Sequence, residues 1–316
     1  MARVATWIGI VAFAAACSSN DGNVNGADGG AGGNDANPSG ADARTVSSND
    51  AGPPVAGCND SAMASGDHII DISSGGVSRQ FRLFIPESYD STVATPVVVN
   101  FHGVTSYAEQ QEAFSGMRTK AAEEGFIAVH PDGIANSWNA GPCCGTAAQT
   151  GVDDVGFVSD LLDHLESLVC VDQRRVYATG MSNGGFMTHR VACEISDRFA
   201  AIASVTGGNV TSGCNPSRPM PVLHFHGTAD TTVDYAGSAA SIKAWATRNG
   251  CSANTEVIYD SGPAECESYA GCDGGVEVIM CTITGFGHWW PGAFGQDDGI
   301  HATDTLWEFF TRYSRP

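Results

Sequence analysis

The sequence predicts an α/β fold, a mostly parallel sheet of eight strands with helices on both faces. Three observations carry this expectation. From residue 68 onward, short β-prone runs alternate with segments whose apolar side chains recur at helical spacing, the pattern of a parallel sheet with helical crossovers. The stretch 175–195, RVYATGMSNGGFMTHRVACEI, reads as strand, tight turn and helix around Gly180-Met181-Ser182-Asn183-Gly184. Two later apolar runs end in polar loops, His226-Gly227-Thr228-Ala229-Asp230 and Gly285-Phe286-Gly287-His288, and α/β sheets assemble their sites at such strand ends.

In chain order, Arg3, the apolar run 4–16 and the small residues Ala14, Ala15 and Ala16 read as a signal peptide of residues 1–16, too short to span a bilayer. Cys17 follows in an Ala-Ala-Ala-Cys context that resembles a bacterial lipobox, although leucine is usual where Ala14 stands, so Cys17 is the candidate lipidation site of a secreted or cell-surface protein. Residues 17–57 are rich in Gly, Asn, Asp and Ser and cannot repay the entropy of ordering; they are read as a disordered tether. The catalytic domain is expected over 58–316. Its strands are expected at 68–73, 79–85, 97–102, 126–130, 176–179, 200–205, 222–226 and 276–283. Helices are expected at 108–124, 155–169, 183–195, 238–249 and 303–313.

A Gly-x-Ser-x-Gly turn between strand and helix throws the Ser182 hydroxyl above the sheet edge, and its tight backbone needs the glycines. Such a nucleophile needs a general base, a group that orients the base, and donors for an oxyanion. Asp230 is the expected orienting acid, with Asp234 as its rival in the same loop, and His288 is the expected base because an imidazole titrates near neutrality. His102-Gly103 closes the third strand, so the backbone amides of Val104 and Asn183 are the expected oxyanion donors. His102 braces that loop and stands among the cleft candidates. Eight strands and the chain order Ser, acid, His are those of the α/β-hydrolase fold.

A net charge of −20 disfavours nucleic acid and anionic polymers and suits a neutral ester substrate. Of the 11 cysteines, all but Cys17 fall in the expected domain, and an even number in an oxidising compartment implies disulfides rather than a metal site. The chemistry needs no cofactor or metal, and a monomer is expected.

With these residues placed, the chain resembles the secreted polyhydroxybutyrate depolymerase and feruloyl esterase group, related to carbohydrate esterase family 1 and the mycobacterial lipoprotein esterases. The resemblance is carried by N-F-H-G at 100–103, H-P-D-G at 130–133, W-N-A-G-P-C-C-G at 138–145 and D-D-V-G-F at 153–157. It continues through the Ser182 turn, H-G-T-A-D at 226–230 and G-H-W-W-P-G at 287–292. It implies Ser182, Asp230 and His288 as the triad, Asp154 in a loop bracing the site, and Trp138 and Trp290 in the cleft wall. Trp289 stands where relatives show Thr and Phe286 replaces a glycine, which predicts a narrower or more apolar cleft mouth. The segment 206–221, where many lipases of this fold insert a lid, is short, and an open cleft suits a bulky substrate. The leading expectation is a polyester-directed esterase, with feruloyl or acetylxylan ester hydrolysis as the alternative and an inert surface binding protein as a rival. Cys193 with Cys214, and Cys251 with Cys272 or Cys281, each flank one strand-helix unit, whereas Cys143 and Cys144 are not expected to bond to each other, so that one or both reach elsewhere, with Cys170 as a partner.

Overall fold

The computed structural model describes residue 58 and residues 63–316. The expected signal peptide, Cys17 and the tether lie outside the described residues. The chain runs through β1 (Gly66–Ser74), β2 (Val77–Ile85), β3 (Thr95–Phe101), α1 (Ala108–Ser115), α2 (Met117–Glu124) and β4 (Ile127–Pro131). It continues through α3 (Thr146–Thr150), α4 (Asp154–Leu168), β5 (Val171–Met181), α5 (Asn183–Glu194), β6 (Ala201–Val205) and β7 (Val222–Gly227). The last elements are α6 (Tyr235–Arg248), β8 (Thr255–Ser261), β9 (Ala264–Tyr269), β10 (Val278–Ile283) and α7 (Ala302–Phe310).

Among the described residues all strands form one sheet in the order β1-β2-β4-β3-β5-β6-β7-β10-β9-β8. The block from β4 to β10 is parallel, and antiparallel pairs flank it on both sides. Strand periodicity sorts the core into two layers. Val97, Val99 and Phe101 face the layer of α4, α5 and α6 through Phe157, Leu161, Met187, Val191, Ile242 and Trp245. Val98 faces the opposite layer, where α2 and α7 pack Met117, Ala121, Leu306, Trp307, Phe309 and Phe310 against Tyr177 and Phe225.

The sheet has ten strands rather than the expected eight. The extra pair is the hairpin β8–β9, whose inward side chains are the small Ala264, Cys266 and Ser268, while β8 is exposed along nearly its whole length. Neither strand carries the alternation of large apolar residues that marks a half-buried strand. The helix expected over 108–124 is two helices, because Gly116 at φ 66° ends α1, its amide bonding to Glu112 O, and opens α2. No helix lies between β6 and β7, which agrees with the absence of a lid expected there.

Among the described residues five disulfides join Cys58 to Cys170, Cys143 to Cys144, Cys193 to Cys214, Cys251 to Cys272 and Cys266 to Cys281. They are the signature of an oxidising, extracytoplasmic compartment. The expectation for Cys143 and Cys144 is corrected: the two bond to each other, at a turn where Cys144 takes φ 82° between Gly141 and Gly145, also at positive φ. Cys170 is joined instead to the start of the domain.

Candidate active site

Ser182 follows β5, and strand order places β5, β6, β7 and β10 side by side, so the loops after β5, β7 and β10 open at one end of the sheet. Ser182 has φ 55° and ψ −122°, a strained conformation for a residue with a side chain. Its amide donates to Val205 O at 2.9 Å, and its carbonyl accepts Phe186 N at 2.9 Å, so strand and helix both hold the turn. A side chain at Gly184 would collide with the Phe101 and His102 carbonyls, and one at Gly180 with the Gly184 carbonyl, which is why the turn requires both glycines.

The loops after β7 and β10 are tied together. Thr228 N donates to Ile283 O at 3.0 Å, Ala229 N to Phe286 O at 2.8 Å, and Gly285 N to Thr228 Oγ1 at 2.8 Å. Across this seam His288 Nδ1 lies 2.7 Å from Asp230 Oδ2. The Asp230 side chain is fully buried and that of His288 is 19 % exposed. Thr232 N and Val233 N donate to Asp230 Oδ1 at 2.8 and 2.9 Å, and His226 Nε2 lies 3.2 Å from Oδ2. Burial alone would raise the Asp230 pKa, but hydrogen bonds from His226 and His288, the charge of His288 and the Val233 amide outweigh it and hold the carboxyl well below the usual range. An ionised Asp230 accepts a hydrogen bond from His288 Nδ1–H, which leaves Nε2 as the free base. Asp234, the rival acid, accepts from Gly237 N at 2.7 Å and is the N-cap of α6.

Among the described residues the amides of Val104 and Asn183 have no protein acceptor, as oxyanion donors require. The Asn183 side chain does a second job that the sequence did not disclose: Oδ1 accepts Trp138 N at 2.6 Å and Nδ2 donates to Trp138 O at 3.1 Å. This clamp fixes the loop beside the nucleophile.

Burial keeps Trp138, Trp290, His102 and Asp154 out of any cleft wall, which corrects that expectation for all four, while His102 has the bracing role also expected of it. Trp138 is fully buried, its Nε1 donating to His102 O at 2.9 Å, and Trp290 is fully buried with Nε1 on Thr303 Oγ1 at 3.0 Å. His102 is also inaccessible: Nδ1–H donates to Gly103 O at 2.8 Å and Nε2 accepts Gly133 N at 2.9 Å, so the ring braces the oxyanion loop. Asp154 opens α4 as a buried partner of Arg79 at 2.7 Å and accepts Asn139 N at 2.7 Å. Of the cleft candidates, Trp289 alone reaches the surface, in part, with its ring edge-on to Phe114 at 4.5 Å. Phe114 in turn meets Phe294 at 5.7 Å, and Phe294 is 72 % exposed, so an aromatic face extends from the residue next to His288. No cluster of His, Cys, Asp and Glu among the described residues is arranged to hold a metal ion.

Burial keeps three further histidines neutral. It pushes His130 and His189 down to about 3 and His224 well below the ordinary imidazole value; charges of Arg82, Arg248, and of His226 and His189, respectively, act in the same direction. On unfolding, each takes up a proton once the pH is below about 6.5. Their contribution to stability is therefore complete above about 6.5 and is lost as the pH falls from there towards 3. Chemical-denaturation midpoints should drop across that window, each histidine adding up to about 1.4 kcal/mol per pH unit. A profile that stays flat from pH 6.5 to 4 contradicts the assignment of neutral buried rings.

Residues 145–213, which include the nucleophile turn, match the model of the prolyl oligopeptidase family. Feruloyl esterase B of Piromyces equi is 33 % identical over 259 residues, covering 73 % of this chain and 44 % of that protein. A bifunctional acetylxylan esterase/xylanase of Neocallimastix patriciarum is 27 % identical over 248 residues, covering 76 % of this chain and 34 % of its own length. The chain thus spans less than half the length of these two relatives. The solved acetyl xylan esterase of Aspergillus awamori superposes with a TM-score of 0.61 at 18 % identity, covering 77 % of this chain and 99 % of that one, a likeness of fold. The chain thus has the α/β-hydrolase fold and, over about three quarters of its length, is similar to feruloyl and acetylxylan esterases, with a Gly-x-Ser-x-Gly turn and an Asp–His pair at its strand ends.

Proposed function

We propose that the chain is a secreted serine carboxylesterase acting on neutral feruloyl or acetyl esters of plant cell-wall polysaccharide. The observation that carries this reading is the 2.7 Å contact of His288 with a buried Asp230 at the strand ends beside the strained Ser182 turn. Ser182 Oγ attacks the ester carbonyl while His288 Nε2 takes its proton. The Val104 and Asn183 amides receive the oxyanion, the alcohol leaves with the proton from His288, and water then releases the acid from the acyl-enzyme. Asp230 stays ionised and holds the imidazolium through Nδ1.

The relatives include feruloyl and acetylxylan esterases, and the polyester reading gains no support from them. The aromatic face of Trp289, Phe114 and Phe294 favours an aromatic acyl group or a sugar ring beside His288. The net charge of −20 suits a neutral rather than an anionic polymer. Lipidation at Cys17 would place the enzyme at the cell surface, and radiolabelled palmitate incorporation lost in Cys17→Ser tests this. The substrate is tested by comparing kcat/KM on methyl ferulate, acetylated xylan and hydroxybutyrate oligomers. Either of the first two should exceed the third by about tenfold or more, the discrimination a shaped pocket supplies. Turnover of hydroxybutyrate oligomers alone reverses the assignment.

A further inference from the structure

Behind the candidate triad lies a line of buried histidines that the reaction as described does not use. His224 and His226 share one face of β7, two residues apart, and both are fully buried. His224 Nε2 lies 3.1 Å from His226 Nδ1, and His226 Nε2 lies 3.2 Å from Asp230 Oδ2 and 3.1 Å from Val233 O. His189 on α5 has its ring 6.1 Å from that of His224 and accepts the Trp245 indole proton at Nδ1, 2.9 Å away. Tyr235 meets His226 edge-on at 5.7 Å, with its hydroxyl on Thr282 Oγ1.

We propose that His226 is a positioning residue of the site, held in its Nε2–H tautomer so that it gives Asp230 Oδ2 a second donor and aims the carboxylate at His288. Two acceptors, Asp230 Oδ2 and Val233 O, face His226 Nε2, so a lone pair there would be repelled and a proton is required. Nδ1 of His226 is then an acceptor and receives the hydrogen bond of His224 Nε2–H. His224 Nδ1 is left as a lone pair, and it has no partner among the described residues. The reverse arrangement would leave an N–H buried there without an acceptor, the costlier outcome. The ring protons of His224 and His226 thus both point towards Asp230, and their order is set by the acceptors at that end.

The consequence for turnover rests on the esterase reading above. When His288 becomes an imidazolium, Asp230 must neither take the proton nor turn away. The Thr232 and Val233 amides fix Oδ1, and His226 and His288 share Oδ2. Loss of such an outer partner costs about 10- to 100-fold where it has been measured at metal sites, and we expect the same range here in kcat.

The test uses the full chain with His226→Leu and His226→Gln, active sites being counted by a fluorophosphonate. Per titrated site, the leucine variant should lose about 10- to 100-fold in kcat on methyl ferulate with KM within about threefold. Glutamine, whose amide Nε2 can take the place of the ring Nε2–H, should recover most of it. A purely structural role would lower the number of titratable sites and the melting temperature equally in both variants and leave kcat per site unchanged. Independently of activity, ¹⁵N NMR of the ring nitrogens in the unmodified chain should show His226 and His224 as Nε2–H tautomers. A leucine variant with kcat per site within about twofold of the unmodified chain, or an Nδ1–H tautomer at His226, overturns the proposal. Should the unmodified chain hydrolyse none of the esters, the esterase reading fails, while the tautomer still decides the contact.

Discussion

Replacing Ser182 by alanine is expected to lower kcat on a feruloyl or p-nitrophenyl ester by about 10⁶-fold, with the folded state unchanged. The fold should survive because the strain at φ 55° is paid by serine and alanine alike, and the Ser182 side chain makes no hydrogen bond that holds the turn. Asp230→Asn should cost about 10⁴-fold for a different reason. The Thr232 and Val233 amides demand an acceptor at one position of the side chain, so the amide nitrogen would face His288. His288 would then present its Nδ1 lone pair and carry its proton on Nε2, where it cannot act as base. Steady-state kinetics on purified, folded variants check both values. A Ser182→Ala protein with more than a few per cent of the original turnover contradicts the role given to Ser182.

Asp154→Ala should be the most damaging single change to stability, by about 3–5 kcal/mol. It leaves the Arg79 guanidinium, 2 % exposed in its side chain, buried with no anionic partner, and it removes the acceptor of Asn139 N. Arg79 also lies over the Phe157 ring at 3.7 Å, so the pair joins β2 to α4 in the middle of one core layer. Removing both charges, with Arg79→Met and Asp154→Leu together, should recover part of the loss, since it is the unpaired charge that costs most. Urea midpoints measure the series. An Asp154→Ala protein within 1 kcal/mol of the parent shows that water or a neighbouring group solvates Arg79.

The parts of the molecule that could be read from the sequence are those set by local chemistry. The Ser182 turn declares itself through glycines that sterics require, and the unbroken apolar run Val97, Val98 and Val99 marks a strand buried on both faces. Asp230 and His288 were recognisable because each follows an apolar strand that ends in a flexible loop. What was not legible depends on how distant loops pack. Trp138 could have lined a cleft, but the Asn183 clamp, reaching across 45 residues of sequence, and the His102 carbonyl draw it inside. Trp290 is buried by α7, which comes after it in the chain. His226 had a local signal, two histidines in i, i+2 positions of a buried strand, and the meaning of that signal came only with the register that sets β7 beside β10. The vicinal pairing of Cys143 and Cys144 needed the turn geometry of their glycine-rich loop.

On the proposed reading, one serine is made nucleophilic by an imidazole which a buried carboxylate holds in place. Incubation with a fluorophosphonate followed by mass-spectrometric mapping of the modified peptide tests it most directly. We predict a single adduct, on Ser182, that forms rapidly in the intact chain and is lost in His288→Ala and strongly slowed in Asp230→Asn. No adduct on the folded protein, or an adduct on another hydroxyl that forms equally well without His288, would contradict the account.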